Sequence, residues 1–115
     1  MRTIFHIDDS TNWNLILGNV QSMLDYAQKQ SISFEIEVLA NSLAVRQYAQ
    51  ISENNEIRSI MVDLAAKQIK FAACRKAVKN CKIDERDLFP FVELVPSGVV
   101  ELTLKQSEGF AYIKP

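Results

Sequence analysis

The stretch IKFAACRKAVKNCK, residues 69–82, contains the two patterns that decide the fold. Its first part is short and apolar, which predicts a buried β-strand from Ile69 to Ala73. Its second part is basic with helical spacing, which predicts a helix from Arg75 to Lys82. A strand that leads directly into a helix is the repeating unit of a parallel sheet covered by helices. Cys74 stands at the junction, and Cys81, the other cysteine of the chain, lies seven positions further on.

The rest of the sequence alternates strands and helices in the same way. Short apolar or alternating runs predict strands over residues 2–7, 33–40, 69–73, 91–95 and 110–113. Apolar residues at helical spacing predict helices over residues 12–29, 43–48, 54–65, 75–82 and 99–108. These elements predict a three-layer α/β/α fold with a mostly parallel five-stranded sheet, of the flavodoxin-like type. For such a sheet we expect the strand order 2-1-3-4-5, with a ligand crevice between the first and third strands.

Length and composition predict one globular domain over residues 1–115. The chain is 48% hydrophobic and 23% charged, with a net charge of −1, so it has no electrostatic preference for nucleic acid or anionic membranes. No apolar run approaches the about 20 residues that span a bilayer, and the N-terminus does not resemble a secretion signal. Two cysteines without export signals are typical of reduced thiols. We therefore expect a cytoplasmic protein.

The predicted crevice brings several chemically useful residues together. Asp8 and Asp9 follow the first strand, and Cys74 follows the third. A thiolate at Cys74 would gain from the start of the next helix and from the neighbouring cations Arg75 and Lys76. The alternative is that Cys74 packs as a small hydrophobic residue. Cys81 would lie about 10 Å away along a continuous helix, which is too far for a disulfide, so it is predicted to be a thiol near the helix end.

Other candidate sites are weaker. His6, the single histidine, is predicted to be a hydrogen-bonded strand residue, with a role at the crevice as the alternative. Asp8 and Asp9 are explained by turn and helix-capping duty, although they would also suit cation binding or acid–base work. The cysteines and the histidine lack the short spacings of a zinc site, and no glycine-rich phosphate loop is present. We therefore predict no metal and no cofactor.

Three stretches resemble the DsrE/DsrF-like family, in particular its small, stand-alone, largely uncharacterised members. They are IFHIDDSTNWNLILGNV, KFAACRKAVKN and LFPFVELVPSGVVELTLKQSEGFAYIKP. The resemblance implies a three-layer α/β/α fold, a trimer or hexamer in several members and, in the sulfur-relay branches, a cysteine that carries persulfide sulfur. That cysteine matches Cys74. The sequence departs from the family pattern at Gln68 and near Cys81, where glycine is expected.

The resulting hypothesis is a sulfur carrier of the persulfide or sulfurtransferase-relay type that uses Cys74, with a protein as sulfur donor or acceptor. Arg75 and Lys76 would stabilise the terminal sulfur, and the fold geometry would add hydrogen bonds from Asn41 and Ser97. The alternative is a non-catalytic, homo-oligomeric module that binds a small ligand or a protein. A third option is a redox sensor in which Cys74 and Cys81 of different subunits form a disulfide.

Overall fold

The structure, a computed structural model, describes residues 1–50 and 55–115. Along these residues the strands and α-helices alternate. The strands are β1 (Arg2–Ile7), β2 (Glu35–Ala40), β3 (Lys70–Cys74), β4 (Val92–Val95) and β5 (Ala111–Ile113). The α-helices are α1 (Trp13–Gln30), α2 (Asn55–Ala66), α3 (Arg75–Asn80) and α4 (Gly98–Ser107). Short 3-10 helices cover Ser10–Asn12, Ser42–Tyr48 and Glu85–Asp87. The predicted α/β fold is confirmed. Position 54, the predicted start of the helix over residues 54–65, lies outside the described residues.

The five strands form one parallel sheet in the order β4-β3-β2-β1-β5. The expected order 2-1-3-4-5 is therefore wrong, because β3 pairs with β2 and β4 and does not neighbour β1. The apolar pattern specifies which segments are strands, but it carries little information on which strands pair. The short strand β5 takes the place beside β1 that the expectation gave to β3, and Thr3 is in register with Ala111.

Alternate residues of the buried strands enter two separate cores, as expected for a parallel sheet that is covered on both faces. On the first face, Phe5, Val38 and Phe71 pack against the buried residues of α1, α2, α3 and the 3-10 helix Ser42–Tyr48. The second core is much smaller and includes Leu102 of α4. Its members are Ile4, Leu39, Ala72, Val95, Leu102 and Phe110. The sheet is thus covered heavily on one face and by α4 on the other.

This strand order places the ligand crevice of the sheet at a different position from the predicted one. The segments that follow β1, β2 and β3 pack on the first face, whereas α4, which follows β4, packs on the second face. The connections therefore change face between β3 and β4, and ligands of open α/β sheets bind where such a change occurs. Cys74 ends β3 and is in register with Val95 of β4. Cys74 still lies at the crevice, but Asp8 and Asp9 follow β1, two strands away.

The polar atoms of the larger core are hydrogen-bonded. The Trp13 indole N–H donates to the carbonyl oxygen of Ala44 at 3.0 Å, and the Tyr48 hydroxyl donates to that of Val38 at 3.0 Å. Both aromatic side chains are fully buried and lie 5.1 Å apart between ring centroids. These bonds hold the 3-10 helix Ser42–Tyr48 against the sheet, because burying a hydroxyl or indole without a partner is costly. They thereby fix the loop that follows β2.

Candidate functional site

An open cavity of about 320 Å³ lies at the carboxyl ends of β2 and β3. We call it the thiol cavity, because both cysteines contribute to its wall. Its lining comes from the segment after β2 and from the β3–α3 junction and helix: Asn41, Ser42, Leu43, Arg46, Cys74, Lys76, Ala77, Asn80 and Cys81. A larger groove of about 460 Å³ beside α1 has no charged side chain and no thiol among its described lining residues, so it offers less chemistry.

Cys74 is a free thiol at the boundary between β3 and α3. It is 7% exposed, and what is exposed faces the thiol cavity. Its backbone is still extended, whereas the next residue, Arg75, begins the helix. The side chain makes no capping hydrogen bond to the first turn of α3, so the sulfur is not committed to the backbone. Cys74 is therefore both a packed residue and a wall of the cavity.

Gly98, the first residue of α4, allows Cys74 and Asn41 to lie close together. A Cβ atom at position 98 would be 3.3 Å from the Asn41 Cβ, 3.5 Å from the Asn41 Nδ2 and 3.5 Å from the Cys74 Cβ. The first of these distances is tighter than ordinary packing. A side chain at position 98 would therefore push on both residues. The glycine is required here for close approach rather than for an unusual backbone angle.

Two cations face the thiol cavity. Arg46 comes from the 3-10 helix after β2, and Lys76 comes from α3; both are exposed, and neither forms an ion pair within residues 1–50 and 55–115. Arg75 is placed differently from the prediction. Its Nε lies 3.3 Å from a carboxylate oxygen of Glu85, and it is not among the described residues that line the cavity. The positive charge at the cavity thus comes from Arg46 and Lys76.

Asn41 is tied to β1 and β5 by a chain of side-chain hydrogen bonds. Its Oδ1 lies 3.0 Å from Nε2 of His6, and Nδ1 of His6 lies 2.7 Å from the hydroxyl of Tyr112. The Asn41 backbone N–H also donates to the carbonyl oxygen of Ile7. His6 is therefore a hydrogen-bonded strand residue, as predicted, and it also contacts a wall of the cavity. We call Tyr112, His6 and Asn41 the hydrogen-bond chain.

Cys81 caps the end of α3 and lines the same cavity as Cys74. It is half-buried and free, with its Sγ 3.9 Å from the carbonyl oxygen of Ser42. The turn that follows has its left-handed residue at Lys82, with φ 57°, so the position that favours glycine is 82 rather than 81. Gln68 is also left-handed, with φ 71°, at the place where the family pattern has glycine.

The remaining predicted site residues lie away from the thiol cavity. Asp8 forms an ion pair with Lys114 at 2.9 Å, and this contact raises the pKa of Lys114. Asp9 caps the first 3-10 helix and accepts hydrogen bonds from the backbone and hydroxyl of Thr11, which lower the pKa of its carboxyl group. Ser97 precedes α4 without a side-chain capping bond and is not among the cavity's described lining residues.

A second charged group, absent from the prediction, lies on the second face of the sheet. The Lys70 Nζ is 3.4 Å from Glu37, 3.1 Å from Glu93 and 3.7 Å from Glu101. We call these four residues the carboxylate cluster. Glu37 is 2% exposed; its burial, and then its hydrogen bond and charge interaction with Glu101, raise its pKa to about 8. The alternation of Glu35 and Glu37 with apolar residues predicted the strand but not this cluster.

Sequence reasoning missed several residues of the thiol cavity. Arg46 and Asn80 were not among the predicted site residues, and Tyr112 lies in a strand whose neighbour the sequence does not specify. One available signal was position: Arg46 lies in the segment that directly follows β2, and ligand sites of open sheets form after strands. Within residues 1–50 and 55–115, no cluster of histidine, cysteine or carboxylate side chains could hold a metal ion. None of the described helices is long and apolar enough to cross a membrane.

Known structures share this fold. A protein of unknown function from Methanobacterium thermoautotrophicum, MTH1491, is 33% identical, with a TM-score of 0.85 over 99% of this chain and 98% of the other. YchN from E. coli is 15% identical, with a TM-score of 0.72 over the whole of both chains. BT1422 from Bacteroides thetaiotaomicron, also of unknown function, is 10% identical, with a TM-score of 0.75 over 99% of this chain and 94% of the other.

The family is established by sequence as well. Among proteins with a curated description, none matches this chain. The profile of the DsrE/DsrF-like family matches residues 4–115, which include β2 to β5, all of β1 except its first two residues, and all the described residues that line the thiol cavity. The chain belongs to the DsrE/DsrF-like family.

Proposed function

We propose that this protein is a persulfide carrier in which Cys74 holds the transferred sulfur. The observation that carries the proposal is the composition of the thiol cavity, where a free thiol shares the wall with an asparagine amide and two cations that have no ion-pair partner among the described residues. A persulfide needs a thiolate to receive the sulfur, space for one additional atom and positive charge near the terminal sulfur. The cavity supplies the space, and Arg46 and Lys76 supply the charge.

The transfer needs no external oxidant. The Cys74 thiolate attacks the outer sulfur of a donor persulfide, the sulfur–sulfur bond of the donor breaks, and the donor leaves as a thiolate. Cys74 then carries the sulfur as Cys–S–SH. In the second step an acceptor thiolate attacks that outer sulfur, and Cys74 leaves as the thiolate with which the cycle began. Donor and acceptor are proteins with reactive cysteines in this proposal.

The proposal extends to the setting of the protein. The cycle requires reduced thiols, which are typical of the cytoplasm, so we propose that the protein acts there. We also propose that residues 1–115 form one domain. We also propose a homo-oligomer, a trimer or hexamer, in which the apolar residues that α4 leaves exposed contact another subunit. Val99, Val100 and Leu104 are 66%, 52% and 51% exposed. Several exposed apolar side chains on one helix favour a contact with another protein surface, whereas a single one would not.

Intact-protein mass spectrometry after incubation with a cysteine desulfurase and cysteine tests the proposal. Wild type and Cys81→Ser should each gain one sulfur atom on residue 74, whereas Cys74→Ser should gain none. The native mass of the same sample gives the number of subunits. Equal loading of the two single variants, or no loading of the wild type, would contradict the carrier role.

A second function is favoured by the same two cations. Arg46 and Lys76 have no carboxylate partner among the described residues, so the cavity also suits a small anion held without chemistry. This is the non-catalytic binding module. Absence of sulfur loading together with normal alkylation of Cys74 by iodoacetamide would support it, because the cavity would then be open and the thiol would still not accept sulfur.

A further inference from the structure

The hydrogen-bond chain has a direction that follows from the chemistry of its members. Asn41 Oδ1 can only accept a hydrogen bond, so the Nε2 of His6 that lies 3.0 Å from it must carry the proton. In the neutral ring Nδ1 is then an acceptor, and the Tyr112 hydroxyl at 2.7 Å donates to it. The opposite tautomer would place a nitrogen lone pair against the Asn41 oxygen. Asn41 Oδ1 therefore fixes the tautomer, and the Tyr112 hydroxyl, which can donate or accept, supports it by donating to Nδ1.

The fixed oxygen of Asn41 decides where its amide N–H groups point. With Oδ1 held by His6, the Nδ2 atom lies on the other side of the amide, beside Gly98 and Cys74. Nδ2 and the Cys74 Cβ are both 3.5 Å from the point where Gly98 would carry a Cβ atom. No side chain fills that point, so the Asn41 amide nitrogen and the Cys74 Cβ both approach the same side of Gly98. A thiolate or a persulfide on Cys74 can accept that donor.

We propose that Tyr112 and His6 are positioning residues that hold the Asn41 amide with its N–H donors directed at the sulfur on Cys74. The role assigned to that sulfur rests on the proposed function, but the orientation of the amide does not. Hydrogen bonds to a charged acceptor are stronger than those to a neutral one, so the amide stabilises the anionic sulfur more than the neutral thiol. Tyr112 and His6 act through Asn41 and do not touch the sulfur.

The single histidine makes the tautomer directly measurable. In ¹⁵N spectra of the histidine ring, the wild type should show the neutral ring protonated at Nε2, and Tyr112→Phe should weaken that preference because Nδ1 no longer accepts a hydrogen bond from the tyrosine. Tyr26→Phe is the matched control, since Tyr26 is an exposed tyrosine of α1 that lines the other groove. A wild-type ring protonated at Nδ1 would overturn the inference, whether or not the protein carries sulfur.

The lifetime of the loaded sulfur tests the link to Cys74. Asn41→Ala should shorten the half-life of the persulfide about tenfold, the loss expected for one hydrogen bond to a charged group. Tyr112→Phe should shorten it about threefold, and the double variant should match Asn41→Ala alone, because the tyrosine acts only through the amide. Multiplied effects in the double variant, or an unchanged lifetime in Tyr112→Phe, would overturn the inference.

The two proposals fail in different ways. If the wild type accepts no sulfur, the carrier function fails, and the Asn41 side-chain amide resonance then decides the inference. That resonance should shift when Cys74 is blocked with iodoacetamide in the wild type. It should shift less in Tyr112→Phe. No shift in the wild type would show that the amide does not face the sulfur.

Discussion

The molecule holds two groups of charged side chains, and they are built in opposite ways. At the thiol cavity the cations Arg46 and Lys76 are exposed and have no ion-pair partner within the described ranges. In the carboxylate cluster Glu37 and Glu101 are buried, and Lys70 contacts all three carboxyl groups. Charges that the protein neutralises internally contribute to structure, whereas charges without a partner remain available for a ligand. The comparison favours a ligand site at the cavity and a structural role for the cluster.

Reversing the charge of the cavity should have the largest effect. Arg46→Glu combined with Lys76→Glu should slow sulfur loading of Cys74 by tenfold or more, because two carboxylates would repel the terminal sulfur anion. Unfolding by heat should change little, since both side chains are exposed. The rate of mass gain with a desulfurase measures the effect. Lys67→Glu with Lys79→Glu makes the same change in net charge at exposed positions outside the cavity, and equal slowing in that control would remove the distinction between the two groups.

Neutralising the carboxylate cluster should affect stability and leave loading unchanged. The pKa of Glu37 is raised to about 8, so the folded state holds its proton more tightly than the unfolded state, in which the ordinary value is 4.5. Stability from this group is therefore present at low pH and falls as the pH rises toward 8. Glu37→Gln should remove that fall and be more stable than wild type at pH 9, by on the order of a few kcal/mol at most.

Denaturant unfolding at pH 5, 7 and 9 measures this difference. Glu93→Gln is the matched control, because its carboxylate contacts the same Lys70 but is 60% exposed. The control should keep the wild-type pH dependence. If the free energies of unfolding of wild type and Glu37→Gln changed with pH in the same way, Glu37 would titrate normally and the cluster would not be a buried structural unit.

Helix α4 joins the two regions, since Gly98 borders the cavity and Glu101 belongs to the cluster. Gly98→Ala should cost about 1–3 kcal/mol, because the new methyl group presses on Asn41 and Cys74. Gly18→Ala should instead stabilise by about 0.5–1 kcal/mol, since that glycine lies inside α1 with nothing within 4 Å of its Cβ position. Urea unfolding distinguishes the two. A Gly98→Ala protein as stable as wild type would show that the close approach is not required.

The sequence was most informative where local patterns decide structure. Strand β1 was predicted with its observed bounds, Arg2–Ile7, because a short apolar run beside a turn has few alternatives. The position of Cys74 at a strand-to-helix junction was also correct, since both halves of residues 69–82 have clear periodicity. Gln68 was noted as a missing glycine, and its left-handed backbone explains why glycine suits that position.

Non-local relations could not be predicted in this way. The strand order was wrong because pairing depends on how the whole sheet packs, and for this reason Asp8 and Asp9 were placed beside Cys74. Arg75 and Lys76 are neighbours with the same charge, and only their positions on α3 decide which of them reaches the cavity. The burial of Glu37 was not predicted, because strand alternation cannot show that α4 covers the second face of the sheet.

The hydrogen-bond chain also has a consequence for the order of folding. His6 and Tyr112 are 106 positions apart, and they meet because β5 pairs with β1. Such long-range pairing carries a high entropic cost and forms slowly. A nascent chain that lacks residues 111–113 can pair β1 with β2 and form the larger core, but its Asn41 is not yet held by an oriented His6. The protein would therefore acquire a compact core before the hydrogen-bond chain at its cavity is complete.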